Sequence, residues 1–469
     1  MADPTTASDV QVLVNRAMDR VAGGRPIPGN RVSLVFDGPQ IYPAMLDRIA
    51  QAREWIHFDN YIFRHDLTGR RFADALCERA RAGIRVRVLA DWFGSFATSR
   101  RFWNQMRQAG IEVRLFGLPD LLRPIRNLTR DHRKLMVVDG RTAVTGGFCI
   151  GNEWSGDPAK GRQPWRDTGV VIDGPAAAAL DQAFAAIWLV TGEGLPAEEL
   201  AADVAACGDA AVRVVAGEPA GVRAARMTEL LLAGSAERVW LTEAYLVAPR
   251  GIYRALLDAA REGVDVRLLV PGTSDLPQVR NVTRTGYREL LEAGVRIFEW
   301  RGPMLHAKTI VADGRWVRVG STNMNVSSLV ANYELDVLID DQEFALQMEA
   351  QFRRDLDQSV EVWLKPARIF RDTLNFRVRD ETPQLVRARG LRERRRRTVI
   401  ALRAVVGGSQ RALFLQRSLG LTLLAGLLLF FPQPMGIIFG SLTLYFALTG
   451  LLDMLRRRRK ARGAEGVAD

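Results

Sequence analysis

The chain repeats itself. "AREWIHFDNYIF" around Tyr61 answers "AERVWLTEAYLV" around Tyr245, "RARAGIRVRVLAD" answers "AAREGVDVRLLVP", and "MRQAGIEVRLF" answers "LLEAGVRIFEW", at offsets of 174 to 184 residues. Units this long do not stack into a solenoid; they build a pseudo-dimer. Within each copy, apolar strands alternate with amphipathic helices, as in "RFADALCERARAG" followed by "IRVRVLAD". That pattern predicts an α/β fold with a mostly parallel sheet in each half. Two such halves facing each other would hold a functional site in their seam.

The repeat carries a second, sharper signal. His132, Lys134 and Asp139 in "HRKLMVVD" and His306, Lys308 and Asp313 in "HAKTIVAD" share one spacing, and a Gly with a small residue follows each string (Gly146-Gly147, Gly320-Ser321). The chain has only four histidines and five lysines against sixty arginines. One such match arises by chance in roughly one chain of this kind in several hundred, and two matched copies far less often. The plain alternative, two surface histidines at strand starts, leaves the matched repetition without a cause. Each string reads as a strand preceded by a His two residues before a Lys. Side chains at i and i+2 share a face, so each pair can aim at one spot. Two imidazoles and two ammonium groups around one anion suit phosphodiester chemistry: one His attacks phosphorus, the other protonates the leaving oxygen, and the lysines neutralise the remaining oxygens. Lysine in so arginine-rich a chain suggests that a compact point charge is required.

With the strings "DHRKLMVVDGRTAVTGG", "MLHAKTIVADGRWVRVGSTNMN" and "ANYELDVLI", the chain resembles the phospholipase D superfamily and, within it, the bacterial cardiolipin synthases, from about Val32 to Trp363. The resemblance implies His132 as nucleophile, His306 as acid and base, Lys134 and Lys308 as phosphate ligands, and no metal or other cofactor. Asp139 and Asp313 complete the motif in a structural role. It also implies a carboxylate that orients each His: Glu334 for the second repeat and, across about seven extra loop residues, Asp167 for the first. Gly147, Ser321, Asn323, Asp167 and Glu334 form the expected substrate-binding set. One departure stands out. Cys149 occupies the place of the Asn that the second repeat keeps as Asn323, and whether Asn152 substitutes is open.

Charge is distributed unevenly. Residues 387 to 469 hold sixteen Arg or Lys and four Asp or Glu, which is the entire net charge of +12, so residues 1 to 386 balance at zero. A polynucleotide groove would place the surplus on the catalytic halves; no nucleic-acid partner is expected. The basic blocks Arg392–Arg397 and Arg456–Lys460 instead bracket residues 418 to 452, which contain no charge. Split by Pro432 and Pro434, this stretch predicts a helical membrane hairpin, Ala412–Phe431 and Met435–Leu455. Each arm is about 30 Å long and both ends are cytoplasmic; a re-entrant hairpin and a pair of buried soluble helices are the alternatives. The expected organisation is an N-terminal arm (1–30), two repeats (31–190 and 191–365), a basic linker (366–411) and the hairpin with its tail (412–469). The N-terminus has no basic region followed by an apolar core, so no cleaved signal peptide is expected.

Cys77, Cys149 and Cys207 indicate neither a disulfide framework nor a metal site; Cys77 fits a buried helix face. His57 and His65 read as ordinary surface or packed histidines, while Tyr61 and Tyr245 could equally line a cleft or fill a core. The expected activity is phosphatidyl transfer that makes cardiolipin from phosphatidylglycerol in the bacterial inner membrane, with anionic phospholipid as partner and phosphatidylethanolamine as a possible acceptor. A hydrolase with water as acceptor, a nuclease and an inactive scaffold are the rivals, the last two disfavoured by the neutral halves and the complete motifs.

Overall fold

The computed structural model describes residues 7–120, 128–201, 203–365 and 373–378. The expected hairpin and tail, and the linker apart from 373–378, lie outside the described residues. Among the described residues no helix is long and apolar enough to cross a membrane.

The first repeat runs α1 (Ala7–Ala22), β1 (Ile27–Phe36), α2 (Asp37–Gln51), β2 (Trp55–Asn60), α3 (Leu67–Arg81), β3 (Arg85–Asp91), α4 (Arg100–Gln108), β4 (Glu112–Phe116), β5 (Lys134–Val138), β6 (Thr142–Gly146), α5 (Asn152–Ser155), β7 (Thr168–Asp173) and α6 (Pro175–Val190). The second runs β8 (Ala210–Gly217), α7 (Arg223–Gly234), β9 (Arg238–Glu243), α8 (Arg250–Arg261), β10 (Asp265–Pro271), α9 (Pro277–Thr285), α10 (Tyr287–Glu292), β11 (Arg296–Trp300), β12 (Lys308–Ala312), β13 (Trp316–Gly320), β14 (Glu334–Asp340), α11 (Gln342–Asp357), β15 (Ser359–Lys365) and β16 (Thr373–Val378).

The duplication reappears as topology. Strand order is β1-β7-β6-β5-β2-β3-β4 in one half and β8-β14-β13-β12-β9-β10-β11 in the other, with β1 and β8 paired antiparallel at the junction. The sheet is mixed, a correction to the mostly parallel expectation. Only β2-β3-β4 and β9-β10-β11 are parallel, the strands that helices separate. β5 and β6 instead form a hairpin across Asp139 (φ 53°) and Gly140 (φ 63°), and β12 and β13 one across Asp313 (φ 50°) and Gly314 (φ 61°). Two consecutive left-handed residues make the turn whose twist matches a tight hairpin, and Asp-Gly is its strongest short signature. β16 pairs with β15 inside the stretch read as linker; the alternation Leu374, Phe376, Val378 carried that strand signal.

Three apolar clusters hold the halves. One is private to the first repeat (Ile41, Phe58, Phe72, Met136) and one to the second together with α1 (Val14, Met18, Leu230, Ile310). Helix α1 precedes the first repeat yet packs on the second, where Asp19 accepts from Arg213 Nε at 3.0 Å. The third cluster belongs to both: Leu135, Val137, Val170 and Ile172 of one half pack with Val317, Val319, Val337 and Ile339 of the other, between α6 and α11. Burying apolar faces from both repeats in one core fixes the halves against each other.

Candidate active site

Both His-x-Lys pairs stand where their strands begin. Lys134 opens β5 opposite Asn60, and Lys308 opens β12 opposite Glu243, so each His sits two residues beyond the C-terminal end of a parallel strand. The residue before each His forms a parallel bridge to the opposite repeat: Asp131 to Tyr333, and Leu305 to Arg166. His132 N donates to Tyr333 O at 2.9 Å and His306 N to Arg166 O at 2.7 Å.

These bridges cross the carboxylates over. His132 Nδ1 lies 3.0 Å from both oxygens of Glu334, and His306 Nδ1 lies 2.8 Å from Asp167 Oδ2. The within-repeat pairing expected from sequence is therefore wrong: Glu334 holds the first-repeat His and Asp167 the second. Inside one repeat β13 separates β12 from β14, which sets His306 and Glu334 roughly two strand spacings, about 9.5 Å, apart. The shared core brings the opposite repeat closer than that. Glu334 and Asp167 are also buried and fully occupied behind the imidazoles, which makes them orienting groups and not part of a substrate-binding surface. Ser321 Oγ donates to Glu334 Oε2 at 2.5 Å, and Trp154 Nε1 donates to Asp167 Oδ2 at 3.0 Å. A Cβ on Gly147 would stand 2.3 Å from Asp167 Oδ1, so only glycine leaves room for that carboxylate.

Lys134 and Lys308 are fully buried, and each ammonium donates to the carbonyl of its own motif His. Lys308 Nζ also lies 3.0 Å from His306 Nδ1. An ammonium cannot accept and that nitrogen already faces Asp167, so this is a close approach of charge and not a second bond to the ring. The Lys308 charge acts on His132, and the Lys134 charge acts on His306 and on Lys308, which makes the two pairs one electrostatic site. Burial pushes the His132 pKa down against the opposing pull of Glu334. Burial, then the Lys308 charge, pushes His306 down to about 4, and burial brings Lys308 down to about 8. Burial would raise Glu334, but the neighbouring His132 and Lys134 outweigh it and hold its pKa below the usual carboxylate value. The lowered pKa values favour neutral imidazoles, with Nδ1–H turned to a carboxylate and the lone pair on Nε2.

Asp139 and Asp313 do not join this cluster. Each follows the far end of its strand, where Asp139 accepts from the backbone N–H of Arg53, Glu54 and Trp55 and Asp313 from those of Ala236, Glu237 and Arg238. They tie each hairpin turn to the start of β2 or β9. Asn323 is buried, and its Oδ1 has no hydrogen-bond partner among the described residues. Its counterpart Cys149 is equally buried, and the pull of both lysines partly offsets the burial that raises its thiol. Asn152 does not substitute: its Oδ1 accepts from Thr68 N and Oγ1 at the start of α3.

Tyr61 and Tyr245 line the site. The Tyr61 ring meets His132 edge-on at 4.7 Å with Lys134 Nζ 5.1 Å from its centroid, and Tyr245 meets His306 at 5.9 Å. His57 is packed inside, stacked on Phe184 and bonded to Asp181, whereas His65 is exposed beside Ser99. Cys77 is buried on α3 and Cys207 is exposed. Sequence reasoning missed Trp154 and Trp165, whose rings wall His306 at 5.4 and 5.6 Å, and Ser328, whose Oγ donates to Glu334 Oε1. The offset of 174 that pairs Cys149 with Asn323 also pairs Trp154 with Ser328. Both hold a carboxylate, but an indole and a hydroxyl share no visible pattern. Among the described residues, no group of three or more His, Cys, Asp or Glu side chains is placed to hold a metal ion.

Comparison with known proteins places the chain in a family. Residues 45–188 and 230–356 match the family described as cardiolipin synthase, PLD-like domain. Cardiolipin synthase A of Pseudomonas aeruginosa is 34% identical over 350 residues, covering 74% of this chain and 71% of that protein. Cardiolipin synthase 1 of Bacillus anthracis is 30% identical over 374 residues, covering 76% and 72%. The fold is also that of a phosphatidylserine synthase from Haemophilus influenzae, with TM-score 0.59 at 16% identity over 74% of this chain and 91% of that one. Two repeats on one topology, each lending the other the carboxylate that holds its histidine, accompany these matches: the chain belongs to the cardiolipin synthase family with phospholipase D-like domains.

Proposed function

We propose that the protein is a phosphatidyltransferase that makes cardiolipin from phosphatidylglycerol through a phosphatidyl-histidine. His132 Nε2 attacks the phosphorus of phosphatidylglycerol, the P–O bond to glycerol breaks, and His306 delivers its proton to the departing oxygen. His306 then takes the proton from a hydroxyl of a second phosphatidylglycerol. That oxygen attacks phosphorus, the N–P bond breaks, and cardiolipin leaves with His132 restored. The observation that carries this reading is the crossed arrangement, in which two imidazoles, each held by a carboxylate of the opposite repeat, meet beside two buried ammonium groups. A bound phosphodiester adds a negative charge between the rings. That charge offsets the burial and Lys308 effects that keep His306 deprotonated, so the acid becomes charged only with substrate present. Lys134, Lys308 and the Nδ2 amide of Asn323 donate to the phosphate oxygens.

We assign the catalytic repeats to 31–190 and 191–365, and the membrane hairpin to 412–469, with the catalytic body on the cytoplasmic side. The 35 uncharged residues between two basic blocks support that anchor, and the neutral charge balance of residues 1–386 supports a lipid over a nucleic acid. The test is purified protein given phosphatidylglycerol alone, with products separated by mass. Cardiolipin with released glycerol is expected; phosphatidic acid would make the protein a hydrolase, and no conversion would overturn the reading.

A further inference from the structure

The rim beside His132 carries a surface that phosphatidyl transfer does not use. Parallel strands β2 and β3 end side by side, with Asn60 opposite Ala90, at the strand end where His132 stands. The loop after β3, Trp92–Ser99, holds Phe93 58% exposed and Phe96 71% exposed, their ring centroids 6.4 Å apart. Leu67, after β2, is 70% exposed. The loop that holds the two phenylalanines is fastened. Asp91 Oδ1 accepts from Phe93 N and Gly94 N at 2.9 and 3.0 Å, and Ser95 Oγ accepts from Phe63 N at 3.0 Å. A Cβ on Gly94 would stand 2.2 Å from Tyr61 O, so the loop lies directly on the residue whose ring touches His132.

Basic groups outnumber acidic ones here, although α3 also carries the exposed Asp74. Arg100 and Arg101 begin α4, Arg70 and Arg71 lie in the first turns of α3, and all four are exposed with no acidic partner among the described residues. The matching strand end of the second repeat leads into α9, which has no buried side chain and leaves Leu276 and Val282 about half exposed.

We propose that this rim is a docking face for the surface of an anionic phospholipid bilayer, with Phe93 and Phe96 entering the interface and the arginines meeting lipid phosphates. Exposed aromatics beside arginines match the depth profile of an interface, apolar below and anionic above. A bilayer seated there presents its headgroups to Tyr61 and His132, so the substrate need not leave the membrane. The proposal rests on the phospholipid reading of the site and adds a contact made by the catalytic body itself.

The test uses full-length protein with Cys207→Ser, which removes the exposed thiol, and Phe96→Cys carrying an environment-sensitive fluorophore. On phosphatidylglycerol vesicles the emission should shift to the blue and be quenched by shallow nitroxide-labelled lipid. Protein that sediments with vesicles while the label reports water would overturn the proposal. So would a blue-shifted label before vesicles are added, which would mean that the chain or a second copy covers the face. Insertion is read without turnover, so a failure of the phosphatidyl-transfer reading leaves this outcome unaffected. In parallel, Phe93→Ser with Phe96→Ser should lower turnover of vesicle phosphatidylglycerol by about tenfold or more and leave cleavage of a soluble phosphodiester unchanged. Equal loss on both substrates would show that the loop supports Tyr61 and not the membrane.

Discussion

Because the orienting carboxylates cross between repeats, Glu334→Gln should injure His132 chemistry and Asp167→Asn should injure His306 chemistry. Glutamine keeps an oxygen for His132 Nδ1–H, and the neighbouring Ser321 and Ser328 hydroxyls can turn to accept from the new amide. What is lost is the charge that stabilises the ring as the N–P bond forms. A hydrogen bond to a charged group contributes about 1.5–3 kcal/mol, or roughly 10- to 150-fold in rate, and Glu334→Gln belongs in the lower part of that range. Asp167 is placed less forgivingly. Oδ1 accepts from Thr168 N at 2.8 Å, and Oδ2 accepts from Trp154 Nε1 at 3.0 Å and faces His306. An asparagine amide must point at a donor, which adds about 1–3 kcal/mol of unmatched burial. Asp167→Asn should therefore also lower the melting temperature, and Glu334→Gln should barely change it. The assay that separates the pairings is a stopped-flow burst with a p-nitrophenyl phosphodiester, whose leaving group needs no proton. Asp167→Asn should keep the p-nitrophenol burst and slow the later turnover; Glu334→Gln should suppress the burst itself. The reverse pattern would refute the crossed assignment.

His132→Ala should abolish both turnover and any trapped phospho-enzyme, while His306→Ala should slow turnover by about 10²–10⁴-fold; an adduct that survives only in His132→Ala, seen by intact mass, would reverse the roles. Lys134→Arg and Lys308→Arg should each reduce kcat on phosphatidylglycerol, since a planar fork does not replace a compact ammonium at a crowded phosphate; near-normal rates would show that only long-range charge matters. Asp139→Ala should destabilise the fold by about 2–4 kcal/mol, since three backbone donors lose their acceptor, yet leave the kcat of the folded fraction near normal in calibrated assays. With a folded pKa near 4 against an ordinary 6.5, His306 stays neutral in the native site while the unfolded chain takes up a proton. Its contribution to stability is complete above pH 6.5 and is lost as pH falls toward 4, so His306→Asn should flatten the melting temperature's decline across that window.

The repeat, the two His-x-Lys pairs and the Gly-small steps were legible because they depend on local spacing. A strand periodicity of two puts His and Lys on one face whatever surrounds them, and a matched copy at a fixed offset announces a second half with the same topology. The Asp-Gly turns are equally local, yet the expectation of a mostly parallel sheet passed over them, and the structural role of Asp139 and Asp313 rested on the family resemblance. The partner of each histidine was not local. His132 and Glu334 are 202 residues apart, and no pattern within either repeat separates that pairing from the one with Asp167. It was decided by the shared core, where Val137 and Ile172 of one half pack with Val319 and Val337 of the other, and by the bridges Asp131–Tyr333 and Leu305–Arg166. Trp154 and Ser328 became comparable only once both were found holding a carboxylate. The sequence alone determined which histidines and lysines gather at the site; the packing of one half on the other decided which carboxylate faces which ring, because burial energy fixes relative placement and local spacing cannot.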